Sequence, residues 1–210
     1  DKLYLLELPE SVRPPTLVTR HSGKLEKFID THKDVVLKPL GGSGGRNVFG
    51  VRDGSKRNLG PILDAIRRDG YVVAQKYIPE AVGGDTRLIL LEGAPIEIEG
   101  KIAAVRRIRG PEDLRSNVHA GGAAVRADVT KGMLAVARAV GPRLLADGLH
   151  WVGLDLAGDL LLEVNVFAPG GLRAASEFEG CDFMTRLVET FEEAVRRGVP
   201  FADTASAGRP

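Results

Sequence analysis

The stretch Gly153-Leu-Asp155-Leu-Ala-Gly158-Asp159-Leu-Leu-Leu-Glu163-Val-Asn165 sets acidic and amide side chains inside runs that otherwise read as buried strand. Glycine followed by aspartate at 158–159 reads as a tight turn, so the segment is a β-hairpin. Side chains alternate between the two faces of a strand. Pairing Asp155 across from Glu163 therefore puts Asp155, Glu163 and Asn165 on one face. Three oxygen-bearing side chains with no Cys or His nearby suit a hard cation such as Mg²⁺. The plain alternative is a solvated hairpin face with Asp159 as a simple turn residue.

Working outward, the chain has 210 residues, 43% of them hydrophobic, which is enough for a substantial core in one or two domains. Lys and Arg total 29 against 28 Asp and Glu, so a net charge of +1 exerts no whole-chain pull toward nucleic acid or membrane. The single cysteine, Cys181, excludes an intramolecular disulfide and a Cys-rich metal site and fits a reducing cytoplasm. No apolar run approaches the roughly 20 residues of a membrane helix, and the N-terminus lacks a signal-peptide layout. The chain opens on Asp1-Lys2 without a methionine, which reads as a piece of something longer.

Residues 9–15, Pro-Glu-Ser-Val-Arg-Pro-Pro, read as an extended linker. Ser22 is a candidate cap for a helix burying Leu25, Phe28 and Ile29. Val35–Lys38 and Val48–Val51 read as strands flanking Pro39-Leu-Gly41-Gly42-Ser43-Gly44-Gly45-Arg46, and Pro61 suits the first turn of a second helix. Tyr71–Pro79 is a strand with a proline stop. Thr86–Ile98 reads as a hairpin turning at Glu92–Pro95 and continuing into a strand through Val105. Arg106–Gly122 reads as a long polar loop. A helix through Met133–Leu145 closes at Gly148, and a last helix carries Met184, Leu187, Val188, Phe191 and Val195 as its apolar stripe.

The glycine cluster at 41–45 is the second chemical signal, because glycines let backbone N–H groups approach phosphate oxygens closely. It is not a Walker loop, since Gly45 is followed by Arg46-Asn47. By itself such a cluster is most often a flexible turn. Lys38, one proline before the loop at the end of an apolar strand, can bring an amine to the same phosphates. The run Arg106-Arg107-Ile108-Arg109 with Arg115 has no interleaved aromatics and does not read as a nucleic-acid surface. His21, His32, His119 and His150 are dispersed without metal-ligand spacing, and Trp151 reads as core packing beside the hairpin.

Taken in order, Pro15-Thr-Leu-Val-Thr-Arg20, Val36–Gly45, Ala74-Gln-Lys-Tyr-Ile-Pro79, Gly84-Asp-Thr-Arg87, Asn117-Val-His-Ala-Gly-Gly122, Val152-Gly-Leu-Asp155 and Glu163-Val-Asn165 resemble the ATP-grasp ligases of the prokaryotic glutathione synthetase type. The resemblance runs from Lys2 to about Val195. It implies an α+β ATP-grasp fold, two α+β lobes with antiparallel sheets gripping ATP between them. It divides the chain into a linker from an upstream domain (1–15), a small lobe with the glycine-rich loop (16–79), a large lobe with the metal site (80–198) and a flexible tail (199–210).

The likeness also implies roles. Lys2 and Lys38 would contact the nucleotide phosphates under the loop Gly41, Gly42, Ser43, Gly44 and Gly45. Gln75, Tyr77 and Ile78 would line the adenine pocket, and Asp85 would hold the ribose. Asp155, Glu163 and Asn165 would ligate Mg²⁺, with Mn²⁺ as the alternative ion. Arg87, Arg107 and Asn117 would face the γ-phosphate and the reacting carboxylate. The implied activity is a cytoplasmic, ADP-forming carboxylate-amine ligase of glutathione biosynthesis, joining γ-glutamylcysteine and glycine or a related pair, homo-oligomeric at full length and without nucleic-acid or membrane partners. The alternatives are another ATP-grasp peptide or amino-acid ligase, or a nucleotide-binding module without ligase activity. One departure stands out. Where the family carries Ser-Pro-Thr after the metal asparagine to bind the acceptor, this chain has Phe167-Ala168-Pro169-Gly170-Gly171, and both hydroxyls are gone.

Overall fold

The computed structural model of the chain describes residues 2–41, 48–56, 59–67, 70–108 and 123–198. Two antiparallel sheets carry it. The first consists of β1 (Thr16–Thr19), β2 (Val35–Pro39), β3 (Phe49–Val51) and β4 (Val72–Lys76) in the order β1-β4-β2-β3. Helices α1 (Ser22–His32) and α2 (Leu59–Arg67) cover it. Strand alternation sorts the side chains. Val35, Leu37, Val72 and Ala74 enter the core with Leu25, Ile29 and Leu63, while Val36, Lys38 and Gln75 belong to the opposite face.

Ser22 does not cap α1. It is the first helical residue, behind His21, whose N–H is taken by Thr19 Oγ1 at 3.0 Å. The linker reading of 9–15 also needs correction. Glu10–Val12 form a 3-10 turn, and Val12 is buried with Leu5 and Leu8 in the core of the second sheet. A proline's φ suits both an extended chain and the start of a 3-10 turn, so burial of Val12 decides between them.

The second sheet is built from β5 (Asp85–Leu91), β6 (Ala94–Pro95), and, after the small separate hairpin of β7 (Glu97–Ile98) and β8 (Lys101–Ile102), from β9 (Ala104–Ile108), β10 (Ala123–Arg126), β11 (Trp151–Ala157) and β12 (Leu160–Asn165). Its order is β10-β9-β5-β11-β12, with β6 beside β5. Helix α3 (Lys131–Ala146) packs Val136, Ala137, Val140 and Leu144 against Leu88, Leu90, Val152 and Leu154 on one face. Helices α4 (Leu172–Glu179) and α5 (Phe183–Arg196) cover part of the other face through Leu172, Ala175, Phe183 and Leu187, which meet Ile89, Leu91 and Val105.

Several expectations change here. Arg106, Arg107 and Ile108 lie on β9 instead of in a loop, and β10 adds an outer strand. The hairpin at 97–102 turns through Glu99 and Gly100, both at positive φ, and breaks the continuous strand read there. Helix α4 went unread because its eight residues bury only Leu172 and Ala175. On α5 the buried pair is Phe183 and Leu187, so Met184, Val188 and Val195 turn outward. Asp182 caps that helix by accepting the Thr185 N–H. Asp159 does more than turn the hairpin. It accepts a hydrogen bond from Thr130 Oγ1 at 3.0 Å, and Thr130 caps α3 by accepting the Met133 N–H.

Candidate active site

The β11/β12 register sets Asp155 opposite Glu163 and Gly153 opposite Asn165, with a bulge just after Asp155. The β5/β11 register sets Asp155 opposite Arg87, and the β5/β9 register sets Asp85 opposite Arg107. All these positions share one face of the second sheet. Asp85, Arg87, Arg107, Asp155, Glu163 and Asn165 thus meet from four adjacent strands, on the face that α4 and α5 leave partly open.

Asp155 is the hub, with only 4% of its surface exposed. Arg87 grips it in fork geometry, Nε to Oδ1 at 2.7 Å and Nη2 to Oδ2 at 2.9 Å. Arg107 Nη2 adds a contact to Oδ2 at 2.7 Å and donates through Nε to Asp85 Oδ1 at 2.6 Å. Asn165 Nδ2 donates to Asp155 Oδ2 at 3.0 Å. Burial alone would raise the Asp155 carboxyl, but hydrogen bonds and charge from Arg87 and Arg107 outweigh it and hold it below the usual range. Burial likewise works against the Arg107 charge, and Asp155 with Asp85 overcomes it, so the guanidinium is held more firmly protonated.

Glu163, half-buried beside this network, has no side-chain hydrogen bond or ion pair to any described residue. Like charges directly opposite on paired strands repel. A buried aspartate and an unengaged glutamate in that position, flanked by an amide, form a hard-donor set that fits a divalent cation. Among the described residues no group of three or more His, Cys, Asp or Glu side chains is gathered, here or elsewhere, so a cation at this site would be held by two carboxylates and an amide.

On the first sheet, Lys38 Nζ donates to Gln75 Oε1 at 2.9 Å, and Gln75 Nε2 donates to Thr16 Oγ1 at 3.3 Å. Thr16 was not singled out from sequence, because only the β1/β4 register brings it opposite Gln75. Tyr77 gives its backbone N–H to Asp34 O at 2.9 Å, and its ring lies 3.6 Å below the Arg52 guanidinium. The Ile78 N–H makes no backbone hydrogen bond to a described residue, while its carbonyl accepts from Ala81. Lys2 Nζ reaches the carbonyls of Leu40 and Gly41 at 3.3 and 3.4 Å, linking the N-terminal arm to the first residue of the glycine cluster. Asp85 is committed to Arg107, so its part at a ribose rests on the resemblance alone. Gly42, Ser43, Gly44, Gly45 and Asn117 lie outside the described residues.

Two glycines keep the site open to its arginines. A Cβ on Gly84, at φ 111°, would fall 1.8 Å from the Arg107 carbonyl oxygen, and one on Gly153 would fall 3.2 Å from Arg87 Cδ. Neither is visible as a functional position in sequence, because each serves by leaving room.

The arrangement therefore offers two cations and a hard-donor set on one sheet, with Lys38 on the other. A family profile described as the prokaryotic glutathione synthetase ATP-grasp domain matches residues 1–180. The chain is 36% identical over 198 residues to a glutathione synthetase of Gloeobacter violaceus, covering 93% of this chain and 59% of the relative. It is 40% identical over 162 residues to one of Citrobacter rodentium, covering 76% and 50% respectively. The chain thus spans about half to three fifths of the length of these relatives. Among solved structures, a D-cycloserine synthetase superposes with a TM-score of 0.70 at 19% identity, covering 93% of this chain and 70% of that one, a likeness of ATP-grasp fold. The chain belongs to the prokaryotic glutathione synthetase ATP-grasp family.

Proposed function

We propose that the protein containing this chain is an ATP- and Mg²⁺-dependent carboxylate-amine ligase, acting through an acyl phosphate and joining γ-glutamylcysteine and glycine or a related pair. The observation that carries the reading is the convergence of Arg87, Arg107, Asp155, Glu163 and Asn165 on one sheet face, in a chain of this family. In the first step a carboxylate oxygen of the donor attacks the γ-phosphorus, the new O–P bond forms and the bridging O–P bond to ADP breaks. In the second, the amine nitrogen attacks the acyl carbon, the C–N bond forms, phosphate departs with the C–O bond electrons and the amine loses a proton. Neither step needs a side-chain nucleophile, so catalysis rests on positioning and charge neutralisation.

The chain's own groups fit those tasks. Lys38, turned toward Gln75, supplies a point charge for phosphate, and the family resemblance gives the glycine cluster at 41–45 the part of covering it. The Ile78 N–H suits an adenine acceptor nitrogen. Arg87 and Arg107, held in place by Asp155 and Asp85, bring positive charge to the face where a carboxylate or a transferring phosphoryl group would lie. Asp155, Glu163 and Asn165 would hold the Mg²⁺, which supplies charge neutralisation to the triphosphate when bound.

Calorimetric titration with a non-hydrolysable ATP analogue, with and without Mg²⁺, tests the nucleotide site in the parent and in Lys38→Ala. Metal-dependent binding weakened by Lys38→Ala is expected. Amine-dependent ADP release from the full-length protein tests the ligase chemistry, and tight binding with no ADP release under any donor and amine would make this a binding module instead.

A further inference from the structure

Between Asn165 at the end of β12 and Leu172 at the start of α4 runs Val166-Phe167-Ala168-Pro169-Gly170-Gly171, a loop without one side-chain hydrogen-bond donor or acceptor. It lies on the site face of the sheet and is held there at three points. Pro169 packs over Gly153, where an added Cβ would meet Pro169 Cβ at 3.0 Å. Gly171, at φ 109°, sits on Val105, where an added Cβ would meet a methyl carbon at 3.0 Å. The Gly170 carbonyl accepts from Arg87 Nη1 at 3.4 Å, so the arginine that forks Asp155 also touches the loop.

Within this anchored loop Ala168 adopts a left-handed φ of 42°, an uncommon conformation for a residue with a Cβ. Such conformations persist where surrounding structure holds them, and they concentrate at ligand clamps. The residue before it, Phe167, is 94% exposed, whereas the next most exposed large hydrophobics among the described residues, Val82 and Val195, stand at 67%. An aromatic ring kept almost wholly in water, two residues past Asn165 and on a loop pinned just beyond it at Pro169, Gly170 and Gly171, is placed to gain apolar contact when something binds at the site.

We infer that Phe167 is a specificity residue for the amine substrate, and that this ligase accepts an amine bearing an apolar side chain in preference to glycine. The inference rests on the ligase reading above. The chemistry of the border follows from its composition: Val166, Phe167, Ala168 and Pro169 offer apolar surface, and Gly170 and Gly171 offer backbone only. A polar side chain on the amine would find no side-chain partner there, glycine would leave the ring in water, and an alkyl or aromatic side chain would cover it.

The test uses the full-length protein, measuring ADP release and product mass with a panel of donors that includes γ-glutamylcysteine, and with glycine, serine, alanine, leucine and phenylalanine as amines. For the best donor, kcat/KM with leucine or phenylalanine should exceed that with glycine by about tenfold or more, the discrimination an apolar pocket gives. Phe167→Ala should collapse that ratio about tenfold, with the change carried by the KM for the amine, and Phe167→Leu should keep most of it. Glycine as the favoured amine, with a ratio that Phe167→Ala does not move, overturns the inference and leaves the ligase reading intact. A changed oligomeric state in Phe167→Ala with an unmoved ratio also overturns it and assigns the ring to a subunit contact. If no donor and amine pair releases ADP, the ligase reading fails and this inference fails with it.

Discussion

Arg87 and Asp155 stand directly opposite each other on β5 and β11, and the guanidinium closes on the carboxylate through two parallel hydrogen bonds of 2.7 and 2.9 Å. Removing Asp155 strands the largely buried Arg87 and leaves Arg107, which binds the same carboxylate, with Asp85 alone. Asp155→Ala is expected to destabilise the protein by about 3–5 kcal/mol, the usual result of breaking a buried pair on one side. Urea unfolding of parent and variant checks this, and a loss below about 1 kcal/mol would contradict a folded-state role for the pair.

Glu163 should behave in the opposite way. With no side-chain partner among the described residues, Glu163→Gln is expected to change stability by no more than about 0.5 kcal/mol. Under the proposed function it should nevertheless reduce turnover roughly a hundredfold, as loss of one stabiliser of developing charge does. Unfolding and ADP-release assays on the same preparation separate the two effects. Near-normal turnover would remove Glu163 from the metal set.

Close backbone approach makes Gly141 a sensitive position in α3. A Cβ there would lie 2.0 Å from the Gly93 carbonyl oxygen in the β5/β6 turn, a contact that backbone cannot relieve cheaply. Gly to Ala inside a helix ordinarily gains about 1 kcal/mol in propensity. Here the clash reverses the sign, and Gly141→Ala should lose about 1–3 kcal/mol. Thermal or urea unfolding reads the sign directly.

A pH dependence follows from Glu179, which receives the Arg126 fork at 2.7 and 3.0 Å. The hydrogen bond from Arg126 is the main cause that holds its carboxyl below the ordinary value of 4.5. A folded-state value below the unfolded one means the contribution is fully present above the unfolded value and is lost as pH falls through the folded one. The stability gap between parent and Glu179→Gln should therefore be largest near neutrality and shrink on acidification below 4.5. Unfolding curves across that window measure it. A gap that stayed constant into strong acid would contradict the coupling.

Much of this protein was legible along the chain itself. The Gly158-Asp159 turn and the odd numbering of Asp155, Glu163 and Asn165 point to the hairpin and to a shared face, because a hairpin is local. The strands around Lys38 and the helix closing at Gly148 were readable for the same reason. The turn by itself, however, pairs Ala157 with Leu160 and Leu156 with Leu161, and the bulge after Asp155 is what brings Glu163 opposite it. What only tertiary structure decided is where distant strands meet. Placing Arg87 and Arg107 on Asp155 requires β5 to run between β9 and β11, a strand order that no local pattern encodes. A run of arginines that reads as a solvated loop thereby becomes a strand with one member, Arg107, buried between two carboxylates. Likewise Val12 looks like linker and Val188 like core until packing turns the first inward and the second outward. Burial depends on what faces a residue across space, and local spacing determines only which residues share a face.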